Sequence, residues 1–299
     1  MSSKLKEDAR QKNRREAASS REKEARIIIV PLDGTPHAAV ALPVAKTLAE
    51  LERAVLHVIH IREPILPPRE VLQVLKLTPD QLRGTVVDQA TGSPAASIVR
   101  LARERHSLLI VMCTHTGMEK PRGKLGSVAE GVLREAPCPV VLVHPERGLF
   151  PWSLRRILLP HDGTPATAIA IGPAADLARL SGAELEVLHV AAPGARKPIE
   201  VGTFAAPRYL DQPQHEWPAW SREFLHRLSV LGHPPPEVKL RLFLATGEPG
   251  SAIVHFAAEH NTDLVVLGWH GKWEPERAAT LKGVIKESPC PVLIVRVES

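Results

Sequence analysis

Two loops of the chain carry residues suited to holding an anion. Residues 113–127, CTHTGMEKPRGKLGS, lie between an apolar run, SLLIVM, and an apolar-periodic segment, VAEGVLREA. Gly126-Ser127 would open a helix there, and the free amides and dipole at a helix start favour negative charge. The loop is basic as well, with Lys120, Arg122 and Lys124 against Glu119. The second stretch begins Gly268-Trp269-His270-Gly271 and carries Lys272 and Arg277 against Glu274 and Glu276, a neutral balance. Two acidic residues sit in matching places near them, Asp33 in Asp33-Gly34-Thr35 and Asp162 in Asp162-Gly163-Thr164. A carboxylate at the end of a strand can accept hydrogen bonds from a ribose or an adenine, or it can cap the helix that follows. Both roles stay open on sequence.

Other reactive residue types point elsewhere. The chain has 14 histidines but no H-E-x-x-H, and His57 and His60, three apart on a strand, face opposite sides and cannot chelate together. His57 and His189 repeat each other in VLHV segments, which favours packing. His115 and His270 adjoin the two loops and could assist an anion, yet neither has a nucleophile or acid beside it in sequence. Cys113, Cys138 and Cys290 are odd in number and lack C-x-x-C spacing, so neither a disulfide framework nor a thiolate metal site is expected.

The elements that must position these loops are written twice. IIIVPLDGTP (27–36) returns as RILLPHDGTP (156–165), an offset of 129. VLHVIH answers VLHVAA, TGSPAASIVRLARERHSLLIVM answers TGEPGSAIVHFAAEHNTDLVVL, and REAPCPVVLV answers KESPCPVLIV. The offset reaches 155 and then falls to 152, so the second copy gains residues after its second strand and loses three in the loop. Strand-like apolar runs alternate with helix-period segments, which predicts parallel sheets with right-handed crossovers. The expected strands are 27–32, 54–61, 85–90, 107–112 and 139–144, then 156–160, 184–190, 238–244, 263–268 and 291–296. Helices are expected over 36–50, with Ala39, Leu42, Ala45, Leu48 and Ala49 on one face, from Pro94, and from Ser127.

Composition agrees with this organisation. With 299 residues, 44% hydrophobic content and only 4% aromatics, the core must be aliphatic, as in parallel sheets covered by helices. The formal charge of +5 lies mostly in residues 1–26, nine Lys/Arg against five Asp/Glu. A basic tail over 1–25 with no apolar h-region is expected to be disordered, a solubilising arm or a partner-binding one. No apolar run reaches the roughly 20 residues of a membrane helix, and a cytoplasmic protein is expected. The domains are 26–147 and 148–299, the second with a Pro-rich insertion at about 193–236 that contains Trp217, Trp220 and an expected helix at about 216–231.

The succession PLDGT, LHV, TGSP and IVMCTHT…GSVAEGVLREAPCPVVLV, present in both copies, resembles the universal stress protein family in a tandem two-domain form. The resemblance covers residues 26–299 and implies an α/β fold of two Rossmann-like (HUP-type) domains, each a five-stranded parallel sheet flanked by helices. Members of that family that bind ATP carry G-x-x-G, nine residues, then G-S or G-T. In the first copy the spacing holds, but Cys113 and Thr116 stand at the two glycine positions and only Gly126-Ser127 survives. The second copy keeps Gly268 and Gly271, loses three residues of loop and has Ala278-Ala279 in place of Gly-Ser.

By resemblance the nucleotide contacts of the first copy would be Asp33, Val58, Met112, Gly126, Ser127 and Val128, and those of the second Asp162, Val190, Gly268 and Gly271. A β-branched Thr116 at φ > 0 would cost about 1–3 kcal/mol, and Gly117 could take over that conformation. The implied ligand is ATP, with magnesium accompanying it and no other metal. The last strands, PVVLVH and PVLIVR, would pair the two copies into an intramolecular pseudo-dimer, with a homo-oligomer also open. The resulting expectation is a stress-response binding and regulatory module. Its rivals are a nucleotide-free interaction scaffold, a weak ATPase, and a nucleic-acid binder acting through the tail.

Overall fold

The computed structural model describes residues 26–116, 125–147, 151–191, 213–271 and 278–296. The tail over 1–25 and the first part of the insertion lie outside them. In chain order the elements are β1 (Ile27–Pro31), α1 (Pro36–Ala39), α2 (Ala41–Glu52), β2 (Val55–Ile61), α3 (Pro68–Leu75), α4 (Pro79–Leu82), β3 (Thr85–Ala90), α5 (Pro94–Glu104), β4 (Leu109–Cys113), α6 (Ser127–Glu135) and β5 (Val140–Val143). The second half follows with β6 (Arg156–Pro160), α7 (Pro165–Ala168), α8 (Ile171–Ser181), β7 (Glu184–Ala191), α9 (Pro213–Gly232), β8 (Leu240–Thr246), α10 (Pro249–Glu259), β9 (Leu264–Trp269), α11 (Ala279–Glu287) and β10 (Val292–Arg296).

Local chemistry explains where the helices begin and break. Pro36, Pro68, Pro94, Pro165 and Pro249 stand in first turns, where a missing N–H costs nothing. The helix expected over 36–50 is two pieces, α1 and α2, parted at Val40. Pro43 is the cause: it cannot donate to the carbonyl of Ala39, and its ring crowds that carbonyl. Pro173 stands in the same relation to Ile169 and parts α7 from α8.

The ten strands form one sheet in the order β3-β2-β1-β4-β5-β10-β9-β6-β7-β8. Each half is internally parallel, and the halves join where β10 runs antiparallel to β5, Val292 opposite Leu142, Leu293 opposite Val141 and Ile294 opposite Val140. Pairing the last strands removes two sheet edges that would otherwise be open to other chains. One apolar cluster on each face runs through both halves. The first packs α2, α3, α8 and α9, and the second packs α5, α6, α10 and α11.

The register corrects one sequence equivalence. The repeated VLHV places His57 opposite His189 and Val58 opposite Val190, an offset of 132. In the sheet Ile27 pairs Val55 and Arg156 pairs Glu184, so the offset stays at 129 through this strand. His60, not His57, is the counterpart of His189. Each imidazole Nδ1 donates to the carbonyl of the residue just past the neighbouring strand, Leu32 at 2.9 Å and His161 at 3.1 Å. A shift of three residues is odd, so it carries every side chain to the other face. Val58 thus corresponds to Val187, and Val190 to Ile61.

Candidate functional site

In the order 3-2-1-4-5 the chain reverses direction between β1 and β4, and a crevice is expected beyond the carboxyl ends of those strands. The first half has a cavity of about 240 Å³ there. Its apolar wall comes from Ile59 and Ile61 of β2, Ile98 of α5, Met112 of β4 and Ala129 of α6, and its rim includes Asp33, Thr114, His115, Gly126 and Ser127. The strand residues share one face because they alternate with the period of two.

Two helix starts converge on this cavity, and neither has a side-chain cap. Ser93 and Gly126, the residues before α5 and α6, make no side-chain capping bond. Gly126 donates its own N–H to the Thr114 carbonyl at 2.8 Å, and the amides of Ser127, Val128 and Ala129 are left without a partner among the described residues. A Cβ at position 126 would lie 3.1 Å from the Thr114 carbonyl oxygen, so this close approach is the physical reason for glycine. Asp33 supports the helix start indirectly, through Thr35, which is the residue that caps α1. Its Oδ1 accepts from the Thr35 N–H at 2.9 Å and the Thr35 hydroxyl at 2.6 Å, and that hydroxyl oxygen accepts from the Ala38 N–H. Oδ2 stays available at the rim.

Thr116 does not carry the expected strain. The described non-glycine residues at positive φ are Arg53, Lys76, His106, His233 and Asn261, so the cost foreseen for a left-handed Thr116 does not arise. Its carbonyl instead accepts from His37 Nδ1 at 3.2 Å, tying the loop to α1. Gly117 lies outside the described residues, as do the charged residues of both loops. Cys113 is buried beside the cavity, and burial together with the Asp33 charge pushes its thiol up to about 12.

The sequence-derived positions separate into groups. Asp33, Met112, Gly126, Ser127 and Val128 line the cavity. Val58 does not, because its side chain is fully buried in the opposite cluster with Ile28 and Val30; Ile59 and Ile61 stand at the wall instead. Thr114 and Ala129 were missed by sequence, although Thr114 follows from Met112 by strand alternation. In the second half Gly268 pairs with Val295 inside the sheet, and Gly271 adopts φ +76 against the guanidinium of Arg296. Val190 is partly buried beside the second cluster.

The second half carries larger side chains at the equivalent positions. Trp269, 3% exposed, stands where the first half has Thr114, and Leu281 where it has Ala129; both belong to the cluster that includes Leu188 and Ile253. Asp162 accepts from the Thr164 N–H and from the hydroxyls of Thr164 and Thr167 through one oxygen. Burial pushes that carboxyl up, but these bonds outweigh it and hold Asp162 below the usual carboxylate range.

Glu248, at the place of Ser93, caps α10 by accepting from the Gly250 and Ser251 amides at 2.9 and 2.7 Å. The same bonds hold its carboxyl below its ordinary 4.5. A carboxylate there satisfies the helix start and repels a second anion. Glu248→Ala is expected to cost about 1 kcal/mol in urea unfolding at neutral pH. Because the folded pKa is depressed, that cap contribution is present above pH 4.5 and is lost as pH falls through the lower folded value. Wild type and variant should therefore converge in acid.

The universal stress protein family model matches residues 24–144 and again 153–296. The chain belongs to the universal stress protein family. Among curated relatives, a universal stress protein of Mycobacterium tuberculosis strain H37Rv is 28% identical over 277 residues, covering 82% of this chain and 86% of that one. Another, from Mycobacterium bovis, is 23% identical over 238 residues, covering 76% and 77%. Among solved structures, a universal stress protein from Archaeoglobus fulgidus superposes with TM-score 0.63 at 17% identity, covering 91% of this chain and 99% of that one. A protein from Pseudomonas aeruginosa PAO1 gives TM-score 0.63 at 20% identity, covering 92% and 94%. These likenesses show the tandem Rossmann-like fold. Among the described residues no helix is long and apolar enough to cross a membrane.

Proposed function

We propose that this universal stress protein binds an adenine nucleotide in its first half only, as a binding and regulatory module rather than a turnover enzyme. The observation that carries the reading is the cavity at the strand-order reversal, bounded by two uncapped helix starts, whose counterpart positions hold Trp269, Leu281 and Glu248. At about 240 Å³ it is smaller than the roughly 300–1,000 Å³ of drug-sized clefts. It would therefore enclose base and sugar against Ile59, Ile98 and Met112 and leave the phosphates outside, on the amides of Ser127, Val128 and Ala129. Magnesium would accompany the phosphates as part of the ligand. A thiol held near 12 keeps Cys113 protonated at neutral pH, so it offers no nucleophile beside a bound phosphate.

Isothermal titration with ATP, AMP and adenosine tests this directly. The wild type should bind all three, ATP more tightly than adenosine. Ser127→Trp should weaken ATP about tenfold or more, because the ring obstructs the helix start at which the phosphates sit. Absence of any heat with the wild type, or an unchanged affinity in the variant, would sink the nucleotide reading.

A further inference from the structure

Beneath α9 the second half buries a pair of imidazoles that the first half does not have. His161, 3% exposed, stands where the first half has Leu32, and His189, 5% exposed, where it has His60. Phe224 of α9 is fully buried with its ring edge-on to both, 6.1 Å from His161 and 5.2 Å from His189 between ring centroids. In the first half the corresponding cover is α3, whose Val71 and Leu75 share an apolar cluster with Leu32.

The hydrogen bonds fix the tautomer of His161. Its Nδ1 accepts from the Gly163 N–H at 2.9 Å, so that nitrogen carries no proton. Its Nε2 lies 3.2 Å from the Thr167 hydroxyl oxygen, and that hydroxyl donates to Asp162 Oδ1 at 2.7 Å. The remaining lone pairs on the hydroxyl oxygen accept from Nε2–H. The neutral ring is thus satisfied at both nitrogens.

A second proton must displace the Gly163 bond and place a cation under Phe224. Among the described residues, the charged and titratable groups facing His161 are Asp162 next to it in the chain, His189 from β7 and Arg227 from α9. Asp162 favours the cation, whereas His189 and Arg227 oppose it. Burial is the largest influence and holds His161 down at about 4; it lowers His189 as well.

We propose that α9 is an acid-released latch: protonation of His161 breaks its bond to Gly163 and frees the Phe224–Leu228 face of the helix from the sheet, while α3 in the first half stays seated. With α9 closed the ring binds its proton less readily than with α9 open, where its ordinary value is 6.5. The closed form is therefore fully favoured above that value and loses ground as pH falls toward about 4. Between pH about 7 and pH about 5 the open-to-closed ratio should rise about 20-fold.

Hydrogen exchange of the full chain at pH about 7 and about 5, corrected for intrinsic rates and followed by mass spectrometry, reads this out. Peptides of α9 should lose about 20-fold in protection at the lower pH, and α3 peptides should not. His161→Leu, which copies Leu32, should abolish the difference. His161→Gln keeps an acceptor and a donor without titrating in this range, and should abolish it too if the leucine variant fails to fold. Equal α9 protection at both pH values in the wild type would overturn the latch, as would an undiminished acid response in the glutamine variant.

Discussion

Replacing Thr114 with tryptophan is expected to abolish nucleotide binding while leaving the fold intact. The substitution gives the first half the residue that its counterpart carries, Trp269, buried to 3%. Thr114 is itself 2% exposed and follows Met112 by two on the strand face that lines the cavity, so an indole there has only the cavity to enter. A buried tryptophan covers about 150–250 Å², enough to compete with a purine for the slot beside Ile59 and Ile98. Nucleotide affinity should fall at least about 100-fold, which is about 2.7 kcal/mol. Stability should change little, because the ring fills open space and the main loss is the hydroxyl's 3.0 Å contact with His115 Nδ1. Titration calorimetry paired with thermal melting separates the outcomes. Retained affinity in a folded variant would mean that the ligand sits elsewhere.

The second large effect is expected at the junction of the halves. Val141 is fully buried at the centre of β5, opposite Leu293 of β10. Val141→Asp puts a carboxyl there without a cation to pair it. Burial of that kind raises a carboxyl pKa by about 3 units or more, which at neutral pH is about 4 kcal/mol of lost stability. Whole domains have only about 5–15 kcal/mol. Because the folded pKa is raised above the unfolded value of about 3.9, the penalty grows as pH rises between the two and is small in acid. Urea melts at pH about 5 and about 8 should therefore diverge, with the alkaline sample the weaker. A variant as stable as wild type at both pH values would show that the two halves do not depend on this junction.

Much of the fold is legible in the chain because the signals are local. The apolar runs of all ten strands were found within two residues of their ends, and Pro94 and Ser127 marked the starts of α5 and α6. The pairing of PVVLVH with PVLIVR could be read because two apolar last strands would otherwise be bare edges. The break at Val40 was available from Pro43, but the amphipathic stripe from Ala39 to Ala49 obscured it. Within the candidate site, Asp33, Met112 and Gly126 carry recognisable local patterns, whereas Ile59 and Ile61 look like any other strand residues.

The sequence by itself determined that the chain is a duplication, that each copy is a parallel α/β unit, and where the strands of each copy run. These depend on periodicity and on turn residues, which act over a few positions. Only the tertiary structure decided the register of β2 against β7, where the matching letters of VLHV are three residues out of step and the face of every side chain turns on that difference. It also placed a cavity in the first copy and buried Trp269 and Leu281 at the positions that match Thr114 and Ala129, with Glu248 capping a helix where the first copy has Ser93. Such volumes and hydrogen bonds are set by residues far apart in the chain, and no local pattern records them.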